Sequence, residues 1–409
     1  MDIVITSFYL IIGITVGFLF VKTKLFSGYK IFYLFSIFFF GIAPLVQYKN
    51  KVSFFGARQL LKYEYLFQNL LIIFLLLGFH FLYKLFYHKF EFKINFQLQS
   101  KSVSNHYFFV ISLLFLINKI LVYPVFSLRN FFLRMDFTII HVKSEAIIHV
   151  LSQFIFVLPL LFCYHLFILW QKKLSKYRIT ILLLLLIAGF PTTLSRTTLA
   201  ILSVPIIFYL IPNLFKKNNF VYVFIIGFFY VFPFLDQFRK VSSLKQLKYG
   251  INTRVFNTAH FDSYYNFGLI VYDIPIQWGK QLLGVIFFFI PRELWISKPI
   301  GSGALMARKL NMTFNNLSAN YFAEGYINFG YIGILIFLVT LAFITAIFDK
   351  FGHKIHESHP AMFYFYLQCI FLLFYLLRGD LMSSFALITM IIVLNTIVIN
   401  ILYKFEKNL

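Results

Sequence analysis

Acidic side chains are scarce in this chain, with 14 Asp and Glu against 37 Lys and Arg among 409 residues. Charged residues of both signs make up only 12% of the sequence while 60% is hydrophobic; soluble domains carry about 25% charged residues. That balance excludes a water-soluble fold, which has nowhere to hide so much apolar surface. Cysteine is nearly absent: Cys163 and Cys369 both lie inside apolar runs, which excludes a disulfide framework and a cysteine-based metal site. The start, Met1-Asp2-Ile3, offers neither a basic n-region nor a small-residue cleavage site, so the first apolar run is expected to stay as a helix. Gly-rich phosphate loops, zinc-type His/Cys spacings, paired intramembrane carboxylates and a nucleotide-binding domain are also missing from the sequence, which argues against an ATP-driven machine and leaves no metal or cofactor site to expect.

What is present is long and apolar. Runs of the length a bilayer-spanning helix needs, about 20 residues, occur at Ile3–Val21, Ile31–Val46, Tyr65–Tyr87, Tyr107–Phe126 and Ala146–Trp170. Six more are expected at Ile179–Pro191, Thr197–Phe215, Phe220–Leu235, Tyr326–Phe348, Ala361–Leu377 and Phe385–Tyr403. The expected fold is therefore an all-α polytopic membrane protein of about eleven transmembrane helices. Residues 1–409 form one domain, with residues 236–325 inserted as a long extracytoplasmic loop between the eighth and ninth helices. Aromatic content of 22% suits a large lipid-facing surface edged by Tyr and Trp. A net charge of +23 carried in short loops marks topology and attraction to anionic lipids rather than to nucleic acid.

Lys and Arg in short loops stay in the cytoplasm. Placing Lys172, Lys173, Lys176 and Arg178 inside also places inside the loops at Lys22–Lys30, Lys84–Lys101, Lys216–Lys217 and Lys350–Lys354, and the tail with Lys404 and Lys407. The N-terminus, the Lys49–Lys62 loop, the Arg129–Lys143 segment, the Arg196 turn, the long loop and the Arg378-Gly379-Asp380 turn then face outward. Several of these outward segments are basic, against that rule; a single miscounted helix would account for it, and the functional reading is that outward Arg and Lys are kept for an anionic substrate. Within the long loop, Val285–Ile290 is too short to span; flanked by Trp278, Pro291 and Trp295, it is expected to lie in the interface or re-enter.

Candidate chemistry concentrates on the outward side. Ser195-Arg196 opens a membrane helix, where an Arg usually faces water or a partner. Arg239 follows a helix end, with Lys240, Lys245, Lys248 and Arg254 behind it. His260, Asp262, Tyr264, Tyr265 and Trp278 supply hydrogen-bonding and stacking groups of the kind sugars use. In Pro291 to Gly303 the prolines and glycines fix a non-helical path along which Arg292 and Lys298 present cations. Glu324 and Asn328 are four residues apart, on one face if their helix begins early, with Tyr326 between them and Gly330 and Gly333 permitting close helix contact. Arg378 and Asp380 share a tight turn, where a local ion pair is the simplest reading.

In this order, Ser195-Arg196, Pro-Arg-x-x-Trp-x-x-Lys-Pro at Pro291 to Pro299, Glu-x-Tyr-x-Asn-Phe-Gly-x-x-Gly at Glu324 to Gly333, and Arg-Gly-Asp at Arg378, the motifs resemble the repeat-unit polymerases of O-antigen and capsule, the Wzy type. The resemblance implies a multi-pass glycosyltransferase of the bacterial inner membrane, GT-C-like in architecture. It would join undecaprenyl-diphosphate-linked oligosaccharide units on the periplasmic side, without a cofactor or metal, alongside a chain-length regulator and a flippase. Under that chemistry Arg196, Arg239, Arg254, Arg292, Lys298 and Arg378 bind substrate, together with Tyr326 and Asn328. The catalytic base is sought first at Glu324, then at Asp262, His260 and Asp380. Two rivals share parts of the pattern: an O-antigen ligase, whose loop carries a His motif that His260 does not reproduce, and a flippase or exporter of the same lipid-linked sugars.

Overall fold

A computed structural model describes residues 1–21, 26–91, 96–100, most of 157–168, 196–215, 218–231, 256–355 and 359–407, with isolated positions between 110 and 237. The expected spans Tyr107–Phe126 and Ile179–Pro191, much of Ala146–Trp170, and the Arg129–Lys143 and Lys172–Arg178 loops lie outside the described residues. The helices are α1 Asp2–Val21, α2 Gly28–Lys49, α3 Lys62–Lys89, α4 Arg196–Leu210, α5 Phe220–Val231, α6 Ser263–Asp273, α7 Lys280–Ile286, α8 Ser302–Lys309, α9 Tyr321–Ile355, α10 Pro360–Arg378 and α11 Leu381–Leu402. Six of them, α1, α2, α3, α9, α10 and α11, are long and apolar enough to cross a membrane, so the chain is an all-α, multi-pass membrane protein. The count of about eleven spans is not reached among the described residues. The runs expected at Thr197–Phe215 and Phe220–Leu235 form shorter helices: Pro205 interrupts the ladder inside α4 and Pro212 follows its end.

Two ends of the bundle sort the loops. At one, buried Asp349 of α9 accepts hydrogen bonds from the backbone N–H of Gly28 (2.6 Å) and Tyr29 (3.0 Å) and from the hydroxyls of Tyr83 (2.9 Å) and Tyr366 (3.0 Å). Nearby, Lys350 donates to the Tyr87 carbonyl, Lys30 to Asn218, and β1 (Phe96–Ser100) pairs antiparallel with β2 (Tyr403–Lys407). At the opposite end Asp2 meets Lys62 and Tyr48, and Arg58 binds Glu64 and Asp273. Among the described residues, the segments at Lys30, Tyr87, Lys350 and Tyr403–Lys407 share one end, and the N-terminus, the Lys49–Lys62 loop and the Arg378 turn share the other; the Lys172–Arg178 and Arg129–Lys143 loops lie outside those residues. Asp349 carries much of the packing at the first end, since it caps the start of α2 while tying α3 and α10 to α9. Asp349→Ala should leave four buried donors without an acceptor and cost about 3 kcal/mol or more; a melting temperature in detergent equal to that of the native chain would contradict this.

α9 is not one rod. Phe329 (φ −144°, ψ 22°) and Gly330 (φ 64°, ψ −146°) leave helical geometry, and Gly330 occupies a region open mainly to glycine. In a continuous helix, residues 325 and 333 would stand about 12 Å apart along the axis. Instead a Cβ on Gly333 would fall 1.9 Å from the Gly325 carbonyl oxygen, and the rings of Tyr321 and Phe337 are 4.9 Å apart. Residues 321–328 therefore run antiparallel to the start of the spanning arm as a re-entrant half-helix. Its deep end reaches Phe32 of α2. The span expected from Tyr326 begins only after Gly330, because a local hydropathy window cannot register a reversal between two apolar arms.

The loop expected outside the membrane is itself sunk into the bundle. Tyr264 of α6 packs on Tyr9 and Tyr65, its hydroxyl donates to Asn69 (3.0 Å), and Gln68 donates to its carbonyl (2.6 Å). Tyr9 lies seven residues into α1, about 10 Å below that helix end. Residues Ser263 to Val271 are all buried.

Candidate functional site

Below the rim at the Arg378 end, four helix starts meet, and the chain between them supplies the polar groups. Asp262 precedes α6, Gly301 precedes α8, Asn320 precedes the half-helix and Asp380 precedes α11. Asn320 joins two of these starts: its amide donates to the Ser263 carbonyl (3.0 Å) and its Oδ1 accepts from Ala323 N–H (2.9 Å). Glu324 joins three, since its carboxylate accepts from the Ser302 hydroxyl (2.7 Å) and from Leu381 N–H (2.9 Å). Asp380 accepts from Gly303 N–H (3.0 Å) and caps α11 through Met382 N–H (3.1 Å). Helix N-termini attract negative charge, and these carboxylates satisfy that demand internally. Burial pushes the Asp380 carboxyl above the usual carboxylate range against the pull of its backbone donors.

Arg378 does not pair with Asp380. Its Nε donates to the His260 carbonyl (2.9 Å), Nη2 to the Ala259 carbonyl (3.3 Å), and Nη2 stands 3.8 Å from Asp262 Oδ1. The guanidinium also lies over the Phe39 ring. The C-terminal end of α10 thus clamps the short turn Ala259–Phe261 that leads into α6. Its side chain remains 28% accessible and that of Asp262 4%, so a solute approaching the pair meets the cation first. Burial, opposed by Arg378, raises the Asp262 carboxyl from 3.8 to about 6.

One property sets Asp262 apart from the other carboxylates. Its Oδ2 accepts from the Asn266 amide (3.0 Å), but Oδ1 has no hydrogen-bond donor, and the Ser263 hydroxyl and Asn266 Oδ1 beside it are likewise buried without a partner among the described residues. Buried polar atoms are nearly always hydrogen-bonded. Three such exceptions lie on one turn, close to a partly accessible arginine.

The remaining candidates fall elsewhere. Exposed Arg292 donates to the carbonyls of Lys298 (2.8 Å) and Pro299 (3.0 Å), and Lys298 donates to those of Phe288 (2.6 Å) and Ile290 (2.7 Å). These bonds knit Pro291 to Pro299 into an elbow after α7; burial, then the neighbouring Arg292, lowers the Lys298 pKa. Asn328 is a tie: it donates to the Glu324 carbonyl (2.9 Å) and accepts from Leu282 N–H (2.9 Å), as the early helix start at Tyr321 allows. Tyr326 is half-buried with its ring 5.2 Å from that of Tyr331. His260 contributes its carbonyl to Arg378. Arg196 begins α4; its side chain, and all of Arg239 and Arg254, lie outside the described residues. No group of three or more His, Cys, Asp or Glu suited to a metal ion occurs among the described residues.

Two features escaped sequence reasoning. The Arg58, Glu64 and Asp273 cluster, with Arg58 Nη1 2.8 Å from Glu64 and Nη2 2.9 Å from Asp273, staples the end of α6 to the start of α3. Asn266 and Ser263 had no local signal, since their importance comes from contacts distant in sequence.

Residues 317–408 match the family model described as O-antigen polysaccharide polymerase Wzy. No curated protein and no solved structure matches the chain. The matched stretch contains the half-helix with Glu324, the Gly325/Gly333 contact and the Arg378-Gly379-Asp380 turn, whereas Asp262 and the elbow precede it. The end of the chain that holds the bottom of this polar layer is therefore the stretch that is similar to the Wzy-type O-antigen polysaccharide polymerases.

Proposed function

We infer that the chain polymerises lipid-diphosphate-linked oligosaccharide repeat units, with the reaction centred on Asp262 and Arg378 at the periplasmic end of a GT-C-like inner-membrane bundle. The observation that carries this reading is Asp262 Oδ1, buried without a hydrogen-bond donor together with two more such oxygens and facing the Arg378 guanidinium at 3.8 Å. Glu324, the first candidate from sequence, has both oxygens occupied by helix starts and is read as a positioning residue. An acceptor sugar hydroxyl reaching Oδ1 gives its proton to Asp262 as its oxygen bonds to the anomeric carbon of the donor. The bond from that carbon to the diphosphate oxygen breaks, and its electron pair leaves with the lipid diphosphate. A guanidinium with N–H groups left over can stabilise the charge that develops there without a metal. Arg196, Arg239 and Arg254 are expected to add to that cationic surface, and a chain-length regulator and a flippase are expected partners.

In a strain lacking the native gene, Arg378→Ala should abolish long-chain polymer while leaving single repeat units on surface glycan, and Arg378→Lys should recover little, because one ammonium cannot reach two carbonyls and a substrate together. A normal chain-length ladder in Arg378→Ala would overturn the site. Accumulation of lipid-linked units on the cytoplasmic leaflet in the deletion strain would instead favour a flippase.

A further inference from the structure

Two short loops at the Arg378 end form a surface that the polar layer does not use. Residues 50–61 link the end of α2 to the start of α3 and so lie beyond both spans, and residues 310–320 link α8 to the half-helix. The loops are joined to each other: Thr313 N–H donates to the Phe55 carbonyl (3.0 Å), and the rings of Phe55 and Phe314 stack with centroids 5.0 Å apart. Gln59 donates to the Lys51 carbonyl (2.6 Å) and closes the first loop on itself. Phe314 stays 44% exposed, and Asn311, Thr313, Asn315 and Asn316 beside it in sequence are exposed, as are Ser53 and Gln59 of the other loop. The backbone is held here against local preference. Among the described residues four non-glycine residues have positive φ, and three of them, Lys51 (50°), Phe55 (54°) and Asn311 (51°), lie in these loops. Asparagine accepts that region, but a bulky ring rarely enters it; such strain persists where surrounding contacts over-determine it, and it clusters at ligand clamps.

Both loops are fixed to the segment that carries Asp262. Phe54 packs on Tyr265 (5.4 Å between centroids), and the Asn50 amide donates to Asn257 (3.3 Å), three residues before the His260 carbonyl that Arg378 holds. Asn266, the donor to Asp262, also donates to the Ser318 carbonyl (3.0 Å), four residues after Phe314. We propose that this surface is a saccharide subsite, which holds sugars of the glycan remote from the bond being made: one pyranose face rests on Phe314, and neighbouring hydroxyls bond to the amides of Asn315 and Asn316. The proposal rests on the polymerase reading for its ligand. An aromatic ring offers a flat apolar face to the C–H face of a sugar, and an amide donates and accepts at once, as paired hydroxyls do. A lipid tail is a poorer occupant, because the ring stands among amides beyond the helix ends. A stable protein interface buries about 1,200–2,000 Å² around a well-packed core, more than one ring among amides supplies.

The full chain in nanodiscs is titrated with lipid-free oligosaccharide of several repeat units, released by mild acid from the surface polysaccharide of the strain that carries the gene, and binding is read by calorimetry. The native chain should bind it, and more tightly than it binds a single unit. Phe314→Leu keeps an apolar cover on Phe55 but loses the flat face, and it should weaken binding about tenfold. Asn315→Ala with Asn316→Ala, at side chains exposed enough to leave folding intact, should weaken it as well, and Phe314→Trp should keep native affinity. In cells the weakened variants should still join repeat units but give shorter polymer. No binding by the native chain, or native affinity in both Phe314→Leu and the double asparagine variant, would overturn the proposal. Shortened polymer with unaltered oligosaccharide binding would also overturn it, assigning the surface to a partner protein. A gene deletion that leaves polymer intact would sink the polymerase reading alone, since the titration needs no turnover.

Discussion

Asp262→Asn is expected to eliminate long polymer, with a loss of about 10²–10⁴ in rate, the range over which a positioned base contributes, while the protein is at least as stable as before. The two halves of that expectation have one cause. The carboxyl is raised from 3.8 to about 6 because burial disfavours its charged form more than Arg378 favours it. Between those values the native chain holds a proton that the unfolded chain has lost, so stability declines as pH rises through that window, and at pH 7.5 the folded protein carries the cost of a buried carboxylate. Asparagine, nearly isosteric and uncharged, removes that cost together with the base. In the native chain, polymerisation should fall about tenfold per pH unit below about pH 6, where Asp262 is protonated. The measurements are repeat-unit transfer in reconstituted membranes as a function of pH, and the melting temperature of the variant at pH 7.5. An inactive variant that also melts well below the native chain would show a structural role for Asp262, and an active one would show none in catalysis.

Gly333→Ala should be the most damaging small substitution in the membrane region. The added methyl would have to occupy a point 1.9 Å from the Gly325 carbonyl oxygen and 3.1 Å from Phe329 Cβ, in a place where both neighbours belong to the same tight hairpin and neither can rotate away. Overpacking a core usually costs about 1–3 kcal/mol, and a clash with backbone belongs at or above the top of that range. Separation of the two arms would withdraw Glu324 from Ser302 and Leu381, and so release three of the four helix starts that frame the polar layer. Yield and melting temperature in detergent check the packing, and polymer length in cells checks the site. Native values for Gly333→Ala would mean that residues 321–328 do not fold back on the spanning arm.

The residues that proved easiest to read were those whose meaning is local. Runs such as Ile3–Val21 and Phe385–Tyr403 announce helices because about 20 apolar residues in a row satisfy both the backbone and the bilayer without help from elsewhere. Lysines at 84–89, 350–354 and 404–407 sorted loops to one end for a similarly local reason, and the Glu324 to Gly333 motif lay within the stretch that matches the polymerase family model. The break at Phe329–Gly330 was half legible: the glycines signalled close helix contact, but the partner is the half-helix folded back from the same segment.

By itself, then, the sequence determined that this is a multi-pass helical membrane protein with a basic, loop-rich end and a C-terminal region similar to the Wzy family model, because hydropathy, charge and motif are properties of short stretches. Only the tertiary structure decided that Arg378 faces Asp262 across 116 positions instead of its neighbour Asp380, that Asp349 caps a helix more than 300 residues away, and that both Glu324 oxygens accept hydrogen bonds while Asp262 Oδ1 has no hydrogen-bond donor. Such choices depend on which buried donor finds which acceptor once the helices pack, and low local dielectric makes each match or mismatch count for more than any single-residue preference.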